Sequence, residues 1–291
     1  MEILYLDSNA KINIGLNVTG LRDDGYHNIE TIFQEIDLCD HITFTRTGDS
    51  VAITSKNPNL PLGKQNLMYK AFMLFRSRAS VSGGLSIAID KRIPMGGGLG
   101  GGSSNAAATL IAANILWGKP FSVQQLQEMA FDLGSDVPFF VRGGTAIGRG
   151  RGEDLTDFDF PEKWFVVLVC PGINISTAWA YKEFKFALTN DKKITNFNAL
   201  FSGLQPDKWQ EYLSNDLEKP VFGSYPELKK IKDLLYENGA FYASMSGSGS
   251  TIYGLFTDKE AGIKAGKFFS KKYESYVCRP ITNRLRKNML D

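Results

Sequence analysis

The stretch Pro94-Met95-Gly96-Gly97-Gly98-Leu99-Gly100-Gly101-Gly102-Ser103-Ser104-Asn105 constrains this chain more than any other, because six glycines stand within seven residues. Each glycine ordered on folding loses more backbone freedom than another residue would. A chain carries such a run where the backbone must approach something closely or take positive φ. The run follows Gly84–Ile93, where Leu85, Ile87 and Ile89 alternate on one face as in a half-buried strand. It precedes Ala106–Trp117, small and apolar nearly all round, as in a buried helix. A flexible linker does not sit between two such elements. Ser103, Ser104 and Asn105 are residue types that cap helices. A helix starting there points its free N–H groups and positive dipole end at the loop. That is the recipe for a phosphate site.

The common phosphate loops do not fit. Gly96-x-Gly98-x-x-Gly101 matches the dinucleotide pattern, but that fingerprint also wants an acidic residue about 20 positions on, and Trp117–Gln127 contains none. A P-loop ends in Gly-Lys-Ser/Thr, whereas Gly102 is followed by Ser103. The later motifs that accompany a protein-kinase glycine loop are missing as well. On chemistry alone the stretch is a phosphate loop of another type.

The rest of the chain reads as mixed α and β. Ile3–Ile14 is a strand that ends before the turn Arg22-Asp23-Asp24-Gly25, and short strands follow near Asp40–Thr45 and Ser50–Ser55. Helices are expected over Asn66–Ala79, Ser122–Asp132 (N-capped by Ser122) and Asp136–Phe140, the last stopped by Gly143-Gly144. Arg149-Gly150-Arg151-Gly152-Glu153-Asp154 is a polar, glycine-rich turn. The pattern changes near Asp157–Glu162, which divides the chain into residues 1–156 and 157–291. Beyond it the order is strand Trp164–Cys170, helices Thr177–Phe186, Asp207–Ser214 and Tyr225–Asn238, strands Phe241–Met245 and Thr251–Phe256, helix Lys259–Lys271 and strand Tyr276–Pro280. This is the ferredoxin-like β-α-β-β-α-β arrangement with an insertion.

With 43% hydrophobic residues among 291, the chain can bury a substantial core. A net charge of +2 with dispersed basic residues argues against nucleic acid as the main partner. The densest basic run, Arg279 with Arg284-Leu285-Arg286-Lys287, reads as a solvated tail. Cys39, Cys170 and Cys278 lack Cys-x-x-Cys spacing and suggest free thiols in a reducing compartment. No signal-peptide pattern or membrane-spanning run is visible, so a cytoplasmic, bacterial location is expected, with no membrane partner.

Two residues stand out by position. Lys11 interrupts an apolar strand, where a lysine is normally on an exposed face. Asp136 precedes Val-Pro at a helix start and reads first as an N-cap. His41 shows no partner pattern and reads as structural.

The glycine stretch, read as Pro-x-Gly-x-Gly-Leu-Gly-(Gly)-Ser-Ser-x-Ala, resembles the nucleotide loop of the GHMP kinases, the family of galactose, homoserine, mevalonate and phosphomevalonate kinases. Two further segments match in order: Ala10-Lys11-Ile12-Asn13-Ile14-Gly15-Leu16 and Ser244-Met245-Ser246-Gly247-Ser248-Gly249-Ser250-Thr251. The resemblance implies an α+β fold of two domains, an N-terminal ribosomal-S5-like one and a C-terminal ferredoxin-like one, with ATP and acceptor between them. It implies that Pro94 to Ser104 cradles the ATP phosphates, with Asn66 and Leu67 near adenine. Mg2+ would ride on the nucleotide, with Ser104 as a candidate hydroxyl ligand.

Within the family, Arg22-Asp23-Asp24-Gly25-Tyr26-His27 and Gly134-Ser135-Asp136-Val137-Pro138-Phe139-Phe140 resemble the branch whose acceptor is a cytidine-diphosphate-linked methylerythritol. Asp136 is then the carboxylate that orients and deprotonates the acceptor hydroxyl, and Lys11 the cation beside it. Tyr26 stacks on the cytosine, His27 reads its polar edge, and Tyr181 supplies a second aromatic ring. Asn13 donates to the acceptor, and the small residues of Ser246–Ser250, Ser248 among them, let that turn fold against phosphates and acceptor. The enzyme would act as a monomer or weak dimer. A kinase for mevalonate or homoserine is the nearer alternative, but those acceptors have no base to stack. A nucleotide-binding relative without activity would lack Lys11 or Asp136.

Overall fold

A computed structural model of the chain describes residues 2–158, 164–184, 197 and 206–282. The expected division near residue 157 falls beside residues outside this set, and the basic run Arg284–Lys287 lies outside it too.

The first half is organised by two very long strands, β1 (Ile3–Leu21) and β2 (His27–Thr47), which pair antiparallel from Ile3↔Thr45 to Leu21↔His27. Tyr26 O accepts from Arg22 N at 2.8 Å to close their turn. The pair is bent by irregularities at Asn9/Ala10, Ile14/Leu16 and Val18/Gly20. Along its other edge β2 pairs with β4 (Gly84–Asp90) and β5 (Thr145–Arg149). Adding β3 (Val51–Ser55) beside β4 and β6 (Asp154–Asp157) beside β5 gives a sheet ordered β3-β4-β2-β5-β6. Helices α1 (Leu67–Ala79), α2 (Gly101–Leu116), α3 (Val123–Leu133) and α4 (Val137–Arg142) belong to this half. Phe72, Phe75, Leu110, Ile111 and Phe139 join Ile42, Phe44 and Ile87 in one core.

The second half is a four-stranded antiparallel sheet of β7 (Phe165–Cys170), β8 (Tyr242–Met245), β9 (Ile252–Phe256) and β10 (Glu274–Cys278), ordered β10-β7-β9-β8. This is the expected ferredoxin-like topology. Alternation along β7 decides what each face covers. Val167 and Val169 pack with Leu228, Ile231, Leu235 and Phe269 of helices Pro226–Glu237 and Lys259–Phe269. Val166, Leu168 and Cys170 face the first half, where they share a core with Ala10, Ile12, Ile14 and Leu99. The Tyr253 hydroxyl crosses that seam to donate to Asn13 O at 2.7 Å. Among the described residues, no helix is long and apolar enough to cross a membrane.

Three local expectations change. Asp40–Thr45 is the end of a 21-residue strand and not a short one. A helix at Glu218–Ser224 has no counterpart in the sequence reading. Helix α2 begins inside the glycine run: Gly100, at φ +70°, is its N-cap, without a side-chain cap bond. Ser103, Ser104 and Asn105 therefore lie within the helix and do not cap it.

Candidate active site

Because α2 starts at Gly101, its first internal bond is Ser104 N to Gly100 O at 2.9 Å. The N–H groups of Gly101, Gly102 and Ser103 have no carbonyl one turn back, the situation that suits an anion. They line a cavity of about 380 Å³ with Pro94, Met95, Gly96, Gly97, Gly98, Leu99, Asn66, Leu67 and Lys91. Asn66 is the N-cap of α1: its oxygen accepts from Met68 N at 2.8 Å, and its amide donates to Pro61 O at 2.6 Å. Ser103 lines the cavity, but Ser104 does not. Ser104 is fully buried, and its hydroxyl oxygen accepts from Ser8 at 2.7 Å.

Ser8 leads into an arrangement that sequence patterns did not reveal. Asn105 donates its amide to Ser8 Oγ at 2.9 Å and to Asp40 at 2.8 Å. Asp40, with no exposed surface, also pairs with Lys91 Nζ at 2.7 Å and accepts from Arg92 N and Ile93 N at 2.7 and 2.8 Å. One buried carboxylate thus holds the chain entering the glycine run and the helix leaving it. Burial pulls the Lys91 ammonium below its ordinary pKa, and Asp40 opposes that pull.

The far wall of the glycine run faces the second half of the chain. Ser246 Oγ donates to Gly98 O at 2.9 Å, and Thr251 N donates to Gly97 O at 3.2 Å. Gly98, at φ +76°, has no room for a side chain: a Cβ there would stand 2.1 Å from Ser246 O. The Ser246–Ser250 segment connects β8 to β9, as its pattern suggests, and Asn215 holds it by donating to Met245 O and Gly247 O, both at 2.8 Å. The turn therefore lies directly against the glycine loop.

Gly98 and Gly100 also border a second cavity of about 730 Å³. Lys11, Asn13, Tyr26, His27, Asp136, Tyr181 and Ser248 all line it, so the structure collects these sequence-predicted residues in one place. Lys11 is 3% exposed and donates to Asn13 Oδ1 at 2.6 Å and to Gly98 O at 2.9 Å. Its ammonium lies 3.5 Å from the Asp136 carboxylate. Asp136 occupies the N-cap position of α4, yet its side chain makes no cap hydrogen bond. The carboxylate is turned to Lys11 and the cavity, which removes capping as the reason for an aspartate here. Asn13 is oriented by Thr31. The Thr31 hydroxyl donates to Gly15 O at 2.5 Å, so it accepts from Asn13 Nδ2 at 3.1 Å, and Oδ1 is left for Lys11.

At the other end, His27 and Tyr181 stack with centroids 5.2 Å apart and planes 28° off parallel. Burial lowers the His27 pKa, favouring neutral imidazole. Burial raises the Tyr181 phenol, and the Asp136 charge adds to the effect. Tyr26 is 53% exposed, with Arg151 over its ring. The Ser248 hydroxyl shares a 2.8 Å hydrogen bond with Thr177. Among the described residues, three of the lining side chains are cations, Lys11, Arg151 and Lys182, against one carboxylate, Asp136. Lys182 and Thr177 join the cavity, and Thr31 stands behind Asn13, without any local sequence signal, because the fold brings them together from separate segments. His41, for which sequence showed no partner, has one: Asp7, directly opposite on β1, at 2.6 Å.

Comparison with known proteins gives the family. Residues 66–144 match the GHMP kinases N terminal domain and residues 200–275 the GHMP kinases C terminal. The 4-diphosphocytidyl-2-C-methyl-D-erythritol kinase of Prosthecochloris aestuarii is 38% identical over 279 residues, 94% of this chain and 96% of that one. Its counterpart in Thermodesulfovibrio yellowstonii is 41% identical over 280 residues, 94% and 95% of the two chains. A crystal structure of 4-(cytidine 5'-diphospho)-2C-methyl-D-erythritol kinase superposes with a TM-score of 0.82 at 30% identity, covering 95% of this chain and 99% of that one. Homoserine kinase from Cytophaga hutchinsonii, at 21% identity and a TM-score of 0.70 over 95% and 96% of the chains, shares the fold. With such identity along nearly the whole of both chains, this protein belongs to the GHMP kinases and, among them, to the family of the 4-diphosphocytidyl-2-C-methyl-D-erythritol kinases.

Proposed function

We propose that this chain transfers the γ-phosphate of ATP to the 2-hydroxyl of 4-diphosphocytidyl-2-C-methyl-D-erythritol, a step of non-mevalonate isoprenoid synthesis. One observation carries the reading: two cavities of different character meet at Gly98 and Gly100, and the Lys11–Asp136 pair stands on the acceptor side of that junction.

The smaller cavity suits the nucleotide. Unpaired N–H groups at the start of α2 and the Lys91 ammonium face phosphate oxygens, while Asn66 and Leu67 flank the adenine end. Among the described residues no carboxylate lines this cavity, so Mg2+ would arrive with the nucleotide, with the Ser103 hydroxyl the nearest candidate side chain for it. Bound there, the ion neutralises phosphate charge during transfer.

The larger cavity suits the acceptor. The Lys182 cation matches a diphosphate, and Tyr26, His27 and Tyr181 form an aromatic end for a flat, polar-edged base. Neutral His27 can both donate and accept, as a cytosine edge requires. Asn13 donates to the acceptor through its remaining amide proton, and Ser248 through its hydroxyl.

Asp136 takes the proton from the acceptor hydroxyl, whose oxygen attacks the γ-phosphorus as the bond to the bridging oxygen breaks and ADP departs. Lys11 stabilises charge on the attacking oxygen and keeps Asp136 ionised. No covalent enzyme intermediate is needed. Every group named comes from one chain, so a monomer or weak dimer suffices. We assign residues 1–156 to the nucleotide- and cytidine-binding domain and 157–291 to the C-terminal one.

The test is Asp136→Asn, an isosteric change. Loss of a general base predicts a fall in kcat of roughly 10²- to 10⁴-fold, with ATP affinity preserved in equilibrium titration. Near-normal turnover would remove Asp136 as the base.

A further inference from the structure

The turn Gly150-Arg151-Gly152-Glu153 between β5 and β6 is conspicuous in sequence, and the phosphoryl transfer has no use for it. It is held firmly. Ile29 N donates to Gly150 O at 2.7 Å, Gly152 N to Arg149 O at 2.9 Å, and Arg151 N to the Glu153 carboxylate at 2.5 Å. Arg149 beside it pairs with Glu30 at 3.0 Å. A side chain leaving this turn starts from a rigid base.

The Arg151 guanidinium carbon stands 3.9 Å from the centroid of Tyr26 and 5.4 Å from that of Phe131 on α3. Its Nε is buried and has no hydrogen-bond partner among the described residues. The group stacks on aromatic faces, a geometry that arginine provides better than lysine, and its charge also acts on the Asp24 carboxylate of the Tyr26 turn.

Tyr26 is the residue that gains. Its backbone is fixed, since Tyr26 N donates to Asp24 at 3.1 Å and Tyr26 O accepts from Arg22 N at 2.8 Å. Its ring, however, is half exposed and lies on a turn. Without a neighbour on one face, such a ring samples several rotamers. Arg151 covers one face and leaves the other to the cavity that both residues line.

We infer that Arg151 is a positioning residue for the acceptor: wedged between Phe131 and Tyr26, it locks the Tyr26 ring in the orientation that receives the base. This rests on the proposal that the acceptor carries a cytosine. It assigns to Arg151 a KM effect transmitted through Tyr26, because a preset ring spares the ordering cost at binding.

The test is steady-state kinetics on Arg151→Ala, Arg151→Lys, Tyr26→Ala and the double variant Tyr26→Ala/Arg151→Ala, with both substrates varied. Arg151→Ala should raise KM for the cytidine acceptor about tenfold, the scale of a partly buried cation–π contact, with kcat and KM for ATP unchanged. Arg151→Lys should recover only part of the loss. In the Tyr26→Ala background, removing Arg151 should change acceptor KM less than twofold. An equally large effect in that background would mean that Arg151 contacts the acceptor itself, and would overturn the inference. So would a fall in kcat, or an acceptor KM within twofold of the parent in Arg151→Ala. An unchanged KM in Tyr26→Ala alone would instead sink the base-stacking reading, and the inference with it.

Discussion

Asp40→Asn is the perturbation that most sharply tests how the phosphate loop is held. The carboxylate has no exposed surface, and its two oxygens divide the work. Oδ1 accepts from Arg92 N and Ile93 N, while Oδ2 accepts from Lys91 Nζ and Asn105 Nδ2. An asparagine can keep its oxygen on the two backbone donors, but its NH2 then confronts an ammonium and an amide, donors against donors. Lys91, whose side chain is only 3% exposed, is left as a buried charge without a counter-charge. Removing one partner from a buried pair costs about 3–5 kcal/mol, a large share of the roughly 5–15 kcal/mol by which a native domain is stable. Guanidinium unfolding followed by tryptophan fluorescence should show this loss as a lower midpoint at unchanged slope.

The sign of its pH dependence follows from Lys91. A lysine whose folded pKa lies below the unfolded value binds fewer protons when folded, so its contribution to stability rises with pH toward the ordinary lysine value of 10.5. The deficit of Asp40→Asn should therefore shrink as pH is raised. Adding Lys91→Met should restore much of the lost stability, because the orphaned charge is gone, yet KM for ATP should stay high. A single-variant loss below about 1 kcal/mol, against the 3–5 expected of a broken buried pair, would refute the account of the anchor. So would a double variant no more stable than Asp40→Asn.

Other expectations follow from single positions. Gly100→Ala forces an L residue to φ +70° and puts its Cβ 2.7 Å from Phe140 and 3.1 Å from Lys11 Cε. The left-handed conformation costs about 1–2 kcal/mol, and displacing Lys11 should lower kcat by roughly a hundredfold, both measurable by thermal unfolding and steady-state assay. Since burial lowers His27 below 6.5, acceptor KM should stay flat as pH falls to 6.5 and rise only below it. A rise that begins above 6.5 and persists in His27→Gln would show that His27 is not the titrating group.

Much of the site was legible in the sequence because its chemistry sits in short contiguous motifs. The glycine run announced a phosphate loop; Lys11 and Asp136 stood out by position, but each had an ordinary structural reading, and the family resemblance supplied their roles. The anchor at Asp40 was not legible. Period-two alternation identifies a strand with one wet face, but β2 is buried on both faces from Glu30 to Ile36, with Glu30, Gln34 and Glu35 inside among the apolar residues. Its pattern therefore fragments. Where α2 begins was obscured for a different reason: serine and asparagine are good caps, but Gly100 in the left-handed region starts the helix earlier. The helix Glu218–Ser224 carries no clear helical pattern, since it contains Pro220 and Gly223, residue types that disfavour helix interiors, although a proline in the first turn removes no helical hydrogen bond.

The central claim is the identity of the two cavities, and phosphorus NMR of the purified protein tests it most directly. With ATP, Mg2+ and 4-diphosphocytidyl-2-C-methyl-D-erythritol, the account predicts stoichiometric loss of the ATP γ-phosphate. A phosphomonoester on the 2-hydroxyl of the acceptor should appear in step. Mevalonate and homoserine, which present nothing to Tyr26, His27 and Tyr181, should leave the spectrum unchanged. Transfer to either of them, with none to the cytidine acceptor, would contradict the account.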